Sequence, residues 1–133
     1  MAAVPDVLVI SPEAEHFKSI NAAAQSHQLR AFRCAQLADA NEILARQHVG
    51  VIFCQDVLPD GNFRSAIENA QSTPVIVMSR FAEWENCINA LHAGAFDYVA
   101  TPLDSAELDR ILRAAVENSS SERANAAVCA AGS

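Results

Sequence analysis

Three stretches of this chain are apolar with almost no alternation: Val7–Ile10, Val49–Cys54 and Pro74–Ser79. A strand with one wet face alternates apolar and polar side chains. An unbroken run instead suits a strand covered on both sides, as in a parallel sheet between helices. Parallel neighbours need long crossovers, and the intervening segments carry helical spacing.

Phe17, Ile20 and Ala24 recur at helical intervals after the first run. Ser11 is expected to cap that helix, with Pro12 in its first turn and Glu13 and Glu15 near its positive end. Leu29–Cys34 reads as a second strand. Asp39 and Glu42 look like a capping pair for a helix through Arg46, with Ala40, Ile43 and Leu44 facing inward. Phe63, Ile67 and Ala70 mark a third helix. Trp84, Ile88 and Leu91 mark a fourth, ended by Gly94. Phe96–Ala100 is the fifth strand. Asp104 and Glu107 then cap a helix bearing Leu108, Ile111, Leu112, Ala115 and Val116.

Five βα units in succession define an α/β fold, a doubly wound five-stranded parallel sheet. The 133 residues suit one domain, and 51% apolar with 19% charged is a globular balance. That domain is expected over residues 5–118. Residues 119–133, rich in Ser and Ala, are expected to be a flexible tail or linker stub. A net charge of −7 disfavours direct contact with a phosphate backbone. With no membrane-length apolar run, the chain is expected to be cytoplasmic. Cys34, Cys54, Cys87 and Cys129 show no metal-ligand spacing, and Cys34 and Cys54 read as buried free thiols. His16, His27, His48 and His92 are scattered, so neither a metal nor a base role stands out among them.

Ligand chemistry in such a sheet belongs at the carboxyl ends of the strands. The residues there are Ser11-Pro12, Gln55-Asp56, Ser79-Arg80 and Thr101-Pro102. LPDG follows the third run, and PVIVMS is followed by HAGAFDYVATPL. On these motifs the chain resembles the CheY-like receiver domains of bacterial two-component response regulators. The resemblance implies the flavodoxin-like strand order 2-1-3-4-5 and a role in phosphorelay signalling. In that family two acidic residues after strand one and an acceptor aspartate after strand three hold Mg²⁺. A Ser/Thr after strand four and a Lys after strand five grip the phosphoryl group.

Carried over by position, the acidic pair falls on Ser11 and Pro12, the acceptor on Gln55 and the lysine on Thr101. Ser79 keeps the family type, and Tyr98 matches the switch aromatic. Mg²⁺ binding is therefore expected to be lost, with no other cofactor and no catalysis. The expected role is a pseudo-receiver acting through a protein partner or output domain, or as a homodimer, on the helix 4–strand 5–helix 5 face. Arg80 is a candidate to fill the vacated pocket by pairing with Asp56 or Glu83. Two alternatives stand beside this reading. Asp56, one residue beyond the acceptor slot, is an alternative phosphoacceptor if a bulge re-aims it. A flavodoxin-type cofactor module is disfavoured, because Ser11-Pro12-Glu13 has no glycine, one missing N–H and a repelling carboxylate.

Overall fold

The unbroken apolar runs become the middle of one sheet. In the computed structural model, which describes residues 6–70, 73–80 and 83–117, the sheet has five parallel strands. They are β1 (Asp6–Ile10), β2 (Arg30–Cys34), β3 (Val49–Gln55), β4 (Val75–Ser79) and β5 (Asp97–Ala100). Their order is β2-β1-β3-β4-β5, so the chain reverses direction across the sheet between β1 and β3. In register, Ile10 lies beside Cys34 on one side and Cys54 on the other.

Five helices cover the sheet: α1 (Ala14–Ser26), α2 (Leu37–Arg46), α3 (Phe63–Ala70), α4 (Trp84–His92) and α5 (105–117). Strand periodicity sorts the core into two layers. Val7, Val9, Val51, Phe53, Ile76 and Met78 pack against α1 and α5 through Ile20, Leu108, Ile111 and Leu112. Leu8, Ile10, Ile52 and Cys54 face α2 and α3 through Leu37, Ala40, Ala66 and Ala70. Cys34 and Cys54 are buried free thiols, as expected. Burial pushes the Cys34 thiol up to about 11 and raises that of Cys54 as well.

Several boundaries differ from the sequence reading for local reasons. Helix α1 begins at Ala14 with Glu13 at its N-cap, because Ser11 turns inward and leaves Pro12 in a bend. Helix α2 begins at Leu37, two residues before the expected Asp39 cap. Its cap comes from a distant loop: Leu37 and Ala38 donate their N–H groups to the two oxygens of Asp60, at 2.8 and 3.0 Å. Beside it, a Cβ on Gly61 would lie 2.6 Å from Leu37 Cδ1. The LPDG motif thus caps and packs α2, and closes a small hairpin of Val57–Leu58 with Gly61–Asn62.

The α5 reading holds, with Glu107 donating its N–H to Asp104 at 3.1 Å. Gly94 follows α4 with φ 111°, a left-handed conformation suited to glycine. Trp84 and Leu91, two of the three residues whose spacing marks α4, are 78% and 44% exposed. Only Ala90 of α4 is buried, together with Val77 and Ala95, so the helix rests on its small residues. The expected tail at 119–133, and Cys129 with it, lie outside the described residues.

The Asp60 cap carries a pH dependence. Hydrogen bonding from the Leu37 amide lowers the Asp60 carboxyl from its ordinary 3.8. A carboxyl lowered on folding stabilises the fold above its unfolded value and loses that effect as pH falls through the folded value. Asp60→Ala is expected to lower the midpoint of thermal unfolding at pH 7. The difference from the parent should vanish in strong acid; a difference that persists there would refute the cap.

Candidate functional site

The strand ends converge on a cleft of about 190 Å³, lined among others by Gln55, Asp56, Ser79, Arg80 and Thr101. Sheet order explains the convergence. β1, β3, β4 and β5 are successive neighbours, so Ser11, Gln55, Ser79 and Thr101 fall on one edge. Backbone bonds continue the ladder beyond the strands, from Asp56 N–H to Met78 O and from Thr101 N–H to Ser79 O, at 2.8 and 2.9 Å.

Ser11 is fully buried and forms a junction. Its hydroxyl donates to Gln55 Oε1 at 2.9 Å, accepts from the Glu13 N–H at 3.1 Å, and lies 2.9 Å from His16 Nδ1. The other end of the Gln55 amide donates to Val57 O at 3.0 Å. One side chain therefore bridges the end of β1 and the hairpin after β3.

Asp56 lies just past the last strand residue, in a bend. The bend turns its carboxylate toward β4, where Ser79 donates to Oδ2 at 2.9 Å. Its Oδ1 accepts the Val57 N–H at 2.9 Å. No strand bulge is involved, because the strand has already ended. Arg80 pairs with neither Asp56 nor Glu83. Its Nη2 lies 2.7 Å from Glu13 Oε1, so the guanidinium reaches across the cleft mouth to the start of α1. That pair is largely exposed, so it contributes little to stability. Tyr98 is half-buried against the Val77–Ala90–Ala95 cluster.

Two site residues escaped the sequence reading, His16 and Glu13. His16 is buried at the head of the stripe His16, Ile20, Ala24 on α1. The usable signal was its i, i+4, i+8 spacing: a polar residue on a core stripe needs a partner. Its partner, Ser11, follows the neighbouring strand.

A doubly wound sheet in this order, with a cleft at its carboxyl edge, is the flavodoxin-like architecture. Residues 7–113 match the response regulator receiver domain family, and the chain belongs to it. Receiver domains are signalling modules of two-component systems. The chain is 30% identical over 122 residues to the regulatory protein AtoC of Escherichia coli, covering 88% of this chain and 26% of AtoC. It is also 30% identical to the KDP operon transcriptional regulatory protein KdpE of Escherichia coli, over 90% of this chain and 54% of KdpE. The chain thus spans about half or less of these curated relatives.

Among solved structures, the signal receiver domain of a LuxO repressor protein from Vibrio parahaemolyticus superposes with a TM-score of 0.83 at 17% identity. That match covers 91% of this chain and 96% of the other. The receiver domain of sensor histidine kinase PA1611 from Pseudomonas aeruginosa matches with a TM-score of 0.73 at 28% identity, over 86% of this chain and 99% of the other. A magnesium ion is coordinated in the active-site cleft of that protein. Among the described residues, no helix is long and apolar enough to cross a membrane.

Proposed function

We propose that this chain is a receiver domain that signals by protein contact without taking a phosphoryl group on aspartate. The observation that carries the reading is Gln55 at the acceptor position, its amide engaged at both ends by Ser11 and Val57. Phosphoryl acceptance needs a nucleophilic oxygen, and a carboxamide is neither anionic nor nucleophilic.

The donor set also does not fit Mg²⁺, which favours carboxylate oxygens in near-octahedral array. Ser11, Pro12 and Gln55 offer none, the Glu13 carboxylate is paired with Arg80, and the Asp56 carboxylate is held by the Ser79 hydroxyl and the Val57 N–H. Thr101 supplies no fixed cation. The cleft is internally satisfied: among the described residues no buried side-chain N or O lacks a partner. The domain is accordingly read as non-enzymatic, cytoplasmic and free of cofactors.

The contact surface in this reading is α4–β5–α5, where Trp84 and Leu91 stand exposed. It would serve an output domain, a separate protein or a second copy, and not nucleic acid. For the second copy, light scattering is expected to show a mass that rises with concentration and falls in Trp84→Ala. A monomer at all concentrations would remove the homodimer.

The deciding experiment is intact mass spectrometry after incubation with acetyl phosphate and Mg²⁺. No phosphate-sized gain is expected in the parent or in Asp56→Ala. The second reading, an atypical receiver phosphorylated at Asp56, is favoured by the aim of that carboxylate into the cleft toward Ser79. A gain present in the parent and absent from Asp56→Ala would establish it and overturn the proposal.

A further inference from the structure

The hairpin after β3 stands between the cleft and the start of α2, and it cannot hold itself in place. Its strands, Val57–Leu58 and Gly61–Asn62, are two residues each. An isolated two-stranded hairpin has little stability of its own in water. Burial holds one side only: Leu58 is buried in the layer under α2 and α3, whereas Val57 is 65% exposed. Where the Val57 backbone lies therefore depends on how the hairpin is attached.

At the base, the Phe63 N–H donates to Asp56 O at 3.2 Å and holds the two ends of the hairpin together. On the cleft side, the Val57 carbonyl accepts from Gln55 Nε2 at 3.0 Å, and the Val57 N–H donates to Asp56 Oδ1 at 2.9 Å. At the tip, Asp60 accepts the Leu37 and Ala38 N–H groups, one on each carboxylate oxygen. Joining the ends of a hairpin fixes its base but leaves its tilt open. The tip sets the tilt, and here the tip is tied to a helix. Hydrogen bonds to a charged carboxylate are stronger than neutral ones, so the tie is firm. Gly61 lets the backbone close on the buried Leu37, where a Cβ would lie 2.6 Å from Cδ1.

We propose that Asp60 is a positioning residue of the cleft: by tying the hairpin tip to α2, it holds Val57 where its carbonyl meets Gln55 and its N–H meets Asp56. Without the tie, Gln55 keeps its bond to Ser11 and loses a fixed acceptor, and Asp56 keeps Ser79 and loses a fixed donor. The start of α2 is thereby a second place from which the cleft is set. It lies on the β1–β2 side of the sheet, away from the α4–β5–α5 surface. A partner that draws Asp60 off the α2 amides resets Gln55 and Asp56 with no phosphoryl group. That regulatory use rests on the phosphate-independent reading above, but the positioning role does not.

The test is an NMR comparison of the whole chain with single variants, following the Gln55 side-chain amide and the Val57 N–H. In Asp60→Ala both signals are expected to shift, while the amide of the buried Leu112 in α5 stays protected and shows that the fold persists. Asp60→Asn keeps a capping oxygen and should shift them less. Coupling between two places is reciprocal, so the reverse direction is read as well. Gln55→Ala removes the donor to Val57, and solvent exchange of the Leu37 and Ala38 amides should rise by about two- to tenfold. This arm leaves Asp60 in place, so it decides the matter even where Asp60→Ala fails to fold. Unmoved signals in a folded Asp60→Ala, or a shift in Asp60→Asn as large as in Asp60→Ala, would overturn the proposal. Unchanged Leu37 and Ala38 exchange in Gln55→Ala would do the same. Phosphate uptake is read separately by mass, so its appearance would sink the functional reading and leave the positioning role standing.

Discussion

Phe53→Ala is expected to lower the unfolding free energy by about 3–5 kcal/mol, the cost of removing a buried aromatic and leaving a cavity. Phe53 is fully buried on β3, between Val9 on β1 and Ile76 on β4. It belongs to the layer that α1 and α5 cover through Ile20, Leu108, Ile111 and Leu112. Neighbours held from the sheet and from two helices cannot all close on the vacated space. Domains of this size are stable by about 5–15 kcal/mol, so the loss consumes a large fraction of the total. In urea the midpoint should fall with little change in slope, while Phe53→Leu keeps most of the volume and most of the stability. A loss below about 1 kcal/mol in Phe53→Ala would show that this layer relaxes freely. Phe53 also lies two residues before Gln55, so the same variant should loosen the β3 end of the site.

Placing a carboxylate at residue 55 is expected to harm the fold. Gln55→Asp replaces a side chain that donates at one end and accepts at the other with a shorter group that only accepts. The Val57 carbonyl loses its donor, and a new charge arises beside Asp56, with Glu13 across the same cleft. A loss of about 0.5–1.5 kcal/mol at pH 7 is expected, because the Val57 contact is exposed and water can replace the lost donor. Like charges raise the new carboxyl above its unfolded value, so the penalty applies above that range and is relieved as pH falls through it. Thermal unfolding at pH 7 and in mild acid reads both effects. Mg²⁺ should not rescue the variant, because Ser11 and Pro12 still contribute no carboxylate. A variant as stable as the parent at pH 7, or one stabilised by Mg²⁺, would count against the account of Gln55 as a neutral bridge.

Much of the architecture is legible along the chain because it depends on local periodicity. The runs at Val7–Ile10, Val49–Cys54 and Pro74–Ser79 became the three central strands, and Asp104 with Glu107 marked α5. The α4 reading shows where periodicity misleads. Trp84, Ile88 and Leu91 are spaced like an inward stripe, yet the helix turns Ala90 to the sheet and leaves Trp84 and Leu91 in solvent. Spacing identifies a helix and its apolar side, whereas the depth of packing depends on the room left by neighbouring elements.

The site divides in the same way. Sequence by itself determined which residue types stand at the strand ends: Ser11 and Pro12, Gln55, Ser79 and Thr101. Which carboxylates, amides and hydroxyls the strand ends offer is a matter of identity and not of geometry. Only the tertiary structure decided the partners. Asp60 caps a helix that begins 23 residues earlier in the chain, Arg80 meets Glu13 across 67 residues, and Ser11 meets Gln55 across 44. The physical reason is directional bonding. A hydrogen bond depends on where two groups lie and how they point, and the sheet order that brings these groups together is encoded by apolar residues elsewhere in the chain.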